Sequence, residues 1–414
     1  MKKKMMISTR ILIISDTHAH LALPPADDSG SPVAVVVPFH QPLPSADVLI
    51  HCGDLTMNGA LSQHEAALSL LTSAKAELKI VIPGNHDITL DREYYARFPR
   101  LHATYDRYSG DTLDQIRELY TGPRARDAGI RYLEEGVAGF TLRNGARLNV
   151  YASAWTPEFF NWAFGYARDV DRFNPQLGGG GGGSGPAPAP AFPVPEHGEI
   201  DIMITHGPPR ELLDRVWRGV GKEGEEDVGC DHLRKAVERC RPRVHCFGHI
   251  HEAWGAVWKR WDVRPPEAEG GDITAGDVQS LYGEQRQRQQ PPAHLQPETS
   301  SVAKDPDPEP EPNPPYHPIH NPNSYYMYTP KTPSTPTTTN QHHRGQAGET
   351  LLQPSAYEEQ VRQMCAGPVD ARGLEFGTET LFVNASIMNL RYRPVNAPWV
   401  VDVMLPEAET GDSE

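Results

Sequence analysis

The sequence predicts an α/β fold in which two β-sheets pack face to face with helices on the outside. Three observations support this class. Short apolar runs rich in β-branched residues recur along the chain. The first of these runs alternate with helical patterns, as in βαβ units, and the later runs follow one another as paired strands do. Clusters of polar residues and histidines come directly after several of the runs.

The elements follow in chain order from the spacing of the apolar residues. The predicted strands are 11–14, 48–52, 79–82, 147–151, 200–204, 244–247, 254–258, 381–385 and 400–405. Helices are predicted over about 62–76, where the apolar spacing is helical, over 111–120 with Asp111 as the N-cap, and over 231–240, which Pro242 ends.

Two segments have a composition that differs from the rest. In 178–195 a glycine run meets alternating proline and alanine, and 265–367 is rich in proline and polar residues. Such segments bury too little apolar surface to offset chain entropy, so we expect both to be disordered. Because a strand-like run returns at 381–385, we interpret them as insertions into one domain, formed by 8–262 and 373–408. Loop-closure entropy grows slowly with loop length, so the fold can tolerate them.

Charge and cysteine content narrow the function classes. The formal net charge of −15 disfavours long nucleic acids as partners. The five cysteines are scattered and do not indicate a disulfide framework. The first apolar run, Ile11–Ile14, is too short for a signal peptide, and no apolar segment is long enough to cross a membrane. These features predict a cytoplasmic protein without a membrane partner, and they leave the oligomeric state open.

Five short motifs carry the functional signal. Each follows an apolar run, and in α/β sheets functional groups gather beyond the carboxyl ends of the strands. A single Asp-x-His is more often a cap or a turn. Five different motifs of potential metal ligands in this order indicate a functional site. They are Asp16-Thr17-His18, Gly53-Asp54, Gly84-Asn85-His86-Asp87, Thr205-His206-Gly207 and Gly248-His249-Ile250-His251.

The residue types in these motifs predict a metal site. Carboxylate, amide oxygen and imidazole suit manganese, iron or zinc, and the absence of cysteine argues against a structural zinc site. We expect two divalent metal ions, with manganese favoured over iron or zinc. The predicted ligands are Asp16, His18, Asp54, Asn85, His206, His249 and His251. Other histidines, such as His51, His64 and His245, are expected to be surface or satisfied core residues.

These motifs resemble the calcineurin-like metallophosphoesterase superfamily, whose pattern is D-x-H, G-D, G-N-H-[DE], H and G-H-x-H. Residues 205–209, 247–252 and 382–386 are similar to its metallophosphoesterase-domain-containing subgroup. The resemblance covers about 8–262 and 378–405. It implies a four-layer αββα sandwich of two mixed β-sheets flanked by helices, and a metal-dependent phosphoric ester hydrolase.

The resemblance also implies a role for each site residue. Asp54 would bridge the two ions, and a water molecule shared by both would attack phosphorus. His86 would stabilise the developing charge or protonate the leaving group, with Asp87 orienting its ring. One ion would be held by Asp16, His18, Asp54 and His251, and the other by Asp54, Asn85, His206 and His249.

Several functions fit this pattern. The favoured one is a phosphodiesterase or phosphomonoesterase for a small organophosphate, such as a cyclic or linear nucleotide. The alternative is a scaffold or sensor that binds metal and nucleotide with little turnover. A Ser/Thr protein phosphatase is weaker, because that family carries Gly-Asp-x-x-Asp-Arg-Gly and residues 53–59 lack the Asp-Arg pair. A DNA nuclease is disfavoured by the acidic charge.

An aromatic segment follows the strand predicted at 147–151 and leaves two interpretations open. Its rings can form a hydrophobic cluster under a loop, or a wall of the substrate pocket that stacks on a nucleobase or an aryl leaving group. The residues are Trp155, Phe159, Phe160, Trp162, Phe164 and Tyr166.

Overall fold

The protein is described by a computed structural model over residues 5–20, 39, 41–103, 107–175, 191–217, 225–261, 316–319, 369–394 and 396–409. In chain order the strands are β1 (Met6–Ile14), β2 (Val48–His51), β3 (Leu78–Val81), β4 (Ile130–Tyr132), β5 (Glu135–Thr141), β6 (Arg147–Ser153), β7 (Thr156–Pro157), β8 (Gly165–Tyr166), β9 (Ile202–Thr205), β10 (Arg215–Trp217), β11 (Glu225–Asp227), β12 (Val244–Phe247), β13 (Gly255–Arg260), β14 (Tyr316–Ile319), β15 (Val369–Asp370), β16 (Glu379–Asn384) and β17 (Trp399–Pro406). The helices are α1 (Leu61–Ser73), α2 (Arg92–Arg97), α3 (Gly110–Thr121), α4 (Pro123–Asp127) and α5 (Asp231–Cys240), and a 3₁₀ turn spans His251–Ala253.

Two mixed sheets contain most of these strands. The first has the order β15-β17-β1-β2-β3-β4, in which β1 to β4 are parallel and β17 is antiparallel to β1. The second has the order β14-β13-β16-β12-β9-β6-β5. Its strands β16, β12, β9 and β6 are parallel, with antiparallel β13 and β5 beside them.

The sheets pack against each other, and their outer faces are covered by helices. Ile13 of β1 and Ile204 of β9 belong to one buried cluster, which lies between the sheets. The neighbouring side chains point the opposite way, since strand residues alternate in direction. Ile14 packs with α1 and α3, and Met203 packs with α5. These layers confirm the predicted αββα sandwich.

The carboxyl ends of the parallel strands meet at one edge of the sandwich. A parallel bridge between Ser15 and Ser386 joins the segment after β1 in the first sheet to the segment after β16 in the second. Therefore β1, β2 and β3 end on the same side as β9 and β12. The motif residues that follow these five strands are brought to this edge by the topology.

Most predicted elements are present, with changes at their ends and several additions. The helix predicted over 231–240 is α5, with those bounds. The predicted N-cap Asp111 is wrong, because Ser109 caps α3 by accepting a hydrogen bond from the Thr112 amide, and Asp111 lies in the first turn. Short elements such as α4 and β4 have no strong apolar periodicity, and the sequence analysis missed them.

The two predicted insertions fall mainly outside the described residues. Of 178–195 the structure describes 191–195, and of 265–367 it describes 316–319, which pair as β14 with β13. Within the described part of the chain, no helix is long and apolar enough to span a membrane.

The buried side chain of His64 on α1 makes hydrogen bonds to α3 and to the loop that follows β3. The hydroxyl of Thr89 donates to the Gly59 carbonyl at 2.9 Å, so it accepts from Nε2 of His64 at 2.8 Å. Nδ1 of His64 therefore accepts from the hydroxyl of Tyr120 on α3 at 2.9 Å. The neutral ring is satisfied on both sides, and burial lowers the pKa of His64 to about 3.

We predict that His64→Gln flattens the dependence of stability on pH. Below the unfolded pKa of about 6.5, the unfolded chain binds a proton at His64 that the folded chain does not bind. The free energy of unfolding thus falls as the pH drops from about 6.5 towards 3, by about 1.4 kcal/mol per pH unit from this group. Glutamine does not titrate, so the variant loses this contribution. Urea unfolding of both proteins in chelator at pH 7, 6 and 5 measures the difference, and parallel pH curves would contradict the assignment.

Candidate metal centre

Two groups of ligand side chains lie side by side at the shared edge of the sheets. Within each group, one ligand atom per residue lies within 4.8 Å of the others. The carboxylates are buried, and His249 and His251 are partly exposed, which gives access from solvent. The first group is Asp16, His18 and His251, and the second is Asp54, His206 and His249.

The Asp54 carboxylate lies between the two groups. Its Oδ1 is 3.3 Å from Nε2 of His206, and its Oδ2 is 3.7 Å from Nε2 of His18. Each group therefore receives one oxygen of the same side chain. This is the arrangement that a carboxylate bridging two cations requires.

Three histidines are held in the tautomer that leaves Nε2 available. The Nδ1 atoms of His18, His206 and His251 lie 3.0, 2.9 and 3.2 Å from the carbonyl oxygens of Thr56, Cys52 and Asn389. A carbonyl can only accept, so each Nδ1 donates its proton there, and Nε2 is the nitrogen left to face the site. Backbone acceptors of this kind orient metal-binding histidines in many proteins.

Asn85 completes the second group. Its Oδ1 lies 2.8 Å from Nε2 of His206, so an amide oxygen points at the same place as the Asp54 carboxylate. The seven predicted ligands therefore lie together, and their donor atoms fit two divalent cations bound by oxygen and nitrogen.

The electrostatics of the site also favour cations. Burial opposes charge on Asp16 and Asp54, but the histidines facing them outweigh it, so the pKa values of both carboxyls are lowered. Burial likewise opposes the charged form of His206, yet Asp54 raises the pKa of that ring to about 9. Carboxylates that hold a proton on a facing imidazole also attract a divalent cation, which displaces that proton. In contrast, burial lowers the pKa of His18 and of His249 to about 3, which keeps both neutral.

The backbone at the ligands adopts conformations that most residues avoid. Asp16, His18, Asp54 and His249 have φ values of 55°, 45°, 53° and 69°. Left-handed backbone at non-glycine residues is strained and concentrates at functional sites. Gly248 is required next to them, because a Cβ there would collide with the side chains of Ser15 and Asp16.

The segment after β16 supports the first group of ligands, and the sequence analysis assigned it no role. The hydroxyl of Ser386 donates to Oδ2 of Asp16 at 2.8 Å, and the carbonyl of Asn389 accepts from His251. The backbone N–H of His249 also donates to the Asp16 carboxylate, at 3.1 Å from each oxygen. The only feature of the sequence that pointed to this segment was the run Asn384-Ala385-Ser386, which contributed to the family resemblance.

The predicted role of Asp87 is wrong. Its Oδ1 accepts hydrogen bonds from the amide and hydroxyl of Thr56, and its Oδ2 accepts from the amides of Leu55 and Gly84. His86 directs its Nδ1 to the Met57 carbonyl instead, at 2.7 Å. Asp87 thus fastens the loop that carries Asp54 to the loop that carries Asn85, and burial raises its pKa to about 7.

The rings of the aromatic segment differ in their distance from the metal centre. Trp155 packs under the guanidinium of Arg172, 4.1 Å from the ring centre, and edge-on to Phe164, as a cluster residue does. Trp162 lies at the site, with its indole stacked on His86 at a centroid distance of 4.0 Å. On the other side of the site, Tyr392 lies edge-on to His18 and His251 at 4.9 and 5.4 Å.

Comparison with known proteins agrees with this site. Residues 9–253, which include all seven predicted ligands, match the model of the calcineurin-like phosphoesterase family. The chain is 31% identical over 254 residues to metallophosphoesterase domain-containing protein 1 of Homo sapiens and of Mus musculus, which covers 60% of this chain and 62% of each relative. It is 32% identical over 224 residues to a probable rhamnogalacturonate lyase C of Emericella nidulans, which covers 53% of this chain and 17% of that protein. The matches therefore span less than two thirds of these relatives.

We predict that Asp54→Asn reduces the bound metal to at most one ion per chain. The amide keeps the shape of the side chain but offers one neutral oxygen where the carboxylate offers two charged ones. Elemental analysis of protein loaded with manganese and then desalted measures the loss. Asp47→Asn is the matched control, since Asp47 precedes β2, Asp54 follows it, and Asp47 accepts from the Arg10 amide at the opposite edge. Two retained ions in the Asp54 variant would refute the bridging role.

Proposed function

The chain belongs to the calcineurin-like phosphoesterase family, and on this premise we propose that it is a dinuclear metal-dependent phosphoesterase similar to the metallophosphoesterase-domain-containing subgroup. The favoured reaction is hydrolysis of a phosphodiester in a small organophosphate or nucleotide. The observation that carries the proposal is the position of Asp54, with one carboxylate oxygen directed at each group of ligands.

Each ion has a set of residues that would hold it. When bound, two dications would supply positive charge for the phosphate oxygens and would lower the pKa of water. We expect manganese, with iron or zinc as alternatives, because carboxylate, amide oxygen and imidazole suit all three. The first ion would be held by Asp16, His18, Asp54 and His251, and the second by Asp54, Asn85, His206 and His249.

The contacts of His86 support a role for this residue on the leaving group. Its Nδ1 donates to the carbonyl of Met57, and that carbonyl stabilises a positive charge on the ring. The other nitrogen, Nε2, is the atom that can give a proton to the departing oxygen. The ring lies 4.7 Å from that of His18 and is nearly perpendicular to it, so it borders the metal centre.

Charge supports a small substrate. The net charge of the chain is −15, which repels polyanions over most of the surface. Two dications against the carboxylates of Asp16 and Asp54 would leave a local charge of about +2. A single phosphate group can reach this charge at the partly exposed His249 and His251 without a long polymer crossing the acidic surface.

The alternative function is a sensor that binds metal and nucleotide at the same site with little turnover. A turnover assay distinguishes the two functions, using protein stripped by chelator and reloaded with manganese, iron, zinc or magnesium. A panel of p-nitrophenyl phosphate, bis-p-nitrophenyl phosphate, cyclic nucleotides and alkyl phosphodiesters covers both ester classes. Metal-dependent turnover of a diester supports the proposed function. Nucleotide binding without turnover under every metal would instead favour the sensor.

We predict that His86→Ala lowers kcat by roughly 10²–10⁴-fold, the range for loss of a general acid or a charge-stabilising group. Bound metal should stay at the wild-type level, because the side-chain contacts of His86 are with Met57 and neighbouring rings. Steady-state kinetics and elemental analysis on the same preparation test both halves. If metal is lost in proportion to activity, His86 is a ligand and the assigned role is incorrect.

A further inference from the structure

Three rings form a stack beside the metal centre. The indole of Trp162 lies 4.0 Å from the ring of His86, with 27° between the planes. It also lies 3.7 Å from the ring of His102, with 11° between the planes. Trp162 therefore contacts two imidazoles, and one of them is the proposed catalytic group.

The two imidazoles must lie on opposite faces of the indole. Both ring centres are within 4.0 Å of the indole centre and both planes are close to parallel with it. On one face the two imidazoles would overlap. Both faces of Trp162 are thus occupied by protein, and the indole cannot stack on a nucleobase. Trp162 therefore affects the site indirectly, through the two imidazole rings that it contacts.

Trp162 restricts a rotation of the His86 ring that its hydrogen bond to Met57 still allows. The hydrogen bond from Nδ1 to the Met57 carbonyl holds one edge of the ring, but rotation about this edge would still move Nε2. The stacked indole defines the plane of the ring. Together the two contacts fix the orientation of the ring, and with it that of Nε2, beside the ring of His18.

The loop that carries Trp162 is itself firmly held. The Phe164 amide donates to Oδ2 of Asp91 at 2.9 Å, and the Tyr94 hydroxyl donates to the Asn161 carbonyl at 2.8 Å. Nε2 of His102 donates to the Phe160 carbonyl at 3.1 Å. Phe160, Asn161 and Phe164 have φ values of 48°, 52° and 53°, a strained backbone that these contacts maintain. The indole is thus a fixed surface against which His86 packs.

We propose that Trp162 is a positioning residue for His86, and that His102 supports it from the far face. The proposal rests on the proposed function, in which His86 protonates the leaving group. A ring held in one plane presents Nε2 to the departing oxygen in the correct direction, and small displacements of such a group are costly to the rate.

The first test compares leaving groups. Trp162→Ala should lower kcat by about 10-fold for a phenyl or alkyl ester, which needs a proton, and by less than about 3-fold for a p-nitrophenyl ester, which needs none. KM and bound metal should not change. Trp162→Phe keeps a stacking face and should restore most of kcat. Trp155→Ala is the matched control, because Trp155 belongs to the same segment and packs on Arg172 and Phe164.

The second test asks whether Trp162 acts through His86. In the His86→Ala background, Trp162→Ala should change kcat by less than about 2-fold, because the group that it positions is already gone. His102→Ala alone should act in the same direction as Trp162→Ala, with a smaller loss. Independent losses that multiply in the double variant would overturn the proposal, and so would a rise in KM equal to the loss in kcat.

A spectroscopic test needs no activity. In the wild type, the Nδ1 proton of His86 should give a protected NMR signal, because it is hydrogen-bonded to Met57. Trp162→Ala should broaden this signal or speed its exchange with water, while Trp162→Phe should keep it. An unchanged signal in Trp162→Ala overturns the positioning role. Wild-type protein without turnover under any metal defeats the proposed function instead, so the two failures are distinct.

Discussion

The burial of two carboxylates at the edge where the sheets meet is the constraint on which the rest of the site depends. Asp54 is 1% exposed and Asp16 is fully buried. Such charges are costly to bury without a compensating positive charge. The surrounding histidines, with Nδ1 fixed by backbone carbonyls and Nε2 directed at the carboxylates, provide that compensation. The same geometry fits divalent cations, so the buried carboxylates that are costly for folding are also the residues that form the candidate site.

Much of this arrangement was predictable from the sequence, because motif and topology coincide. Five apolar runs end just before ligand residues, and parallel strands that end on one side bring such residues together. The order of elements predicted two packed sheets with helices outside, and the motifs predicted seven ligand residues that the structure brings together. Local pattern was sufficient here, since the seven predicted ligands follow the ends of five strands.

The parts that could not be predicted depend on contacts between distant segments. Asp87 is adjacent to His86 in the chain, which suggested a pair, but its carboxylate binds amides of Leu55 and Gly84. Ser386 reaches Asp16 across 370 positions of the chain. Trp162 and His102 meet at the site through loop conformations with positive φ, which have no sequence signal in these residue types. Supporting residues act through tertiary packing, and their spacing in the chain carries no periodicity.

The central claim is that one carboxylate, Asp54, is shared by two cations. Electron paramagnetic resonance of the protein loaded with manganese tests it most directly, because two manganese ions about 3.5–4 Å apart with a shared ligand are magnetically coupled. The account predicts two manganese ions per chain and the multiline spectrum of a coupled pair. A six-line spectrum of isolated ions at full loading, or saturation at one ion per chain, would contradict it.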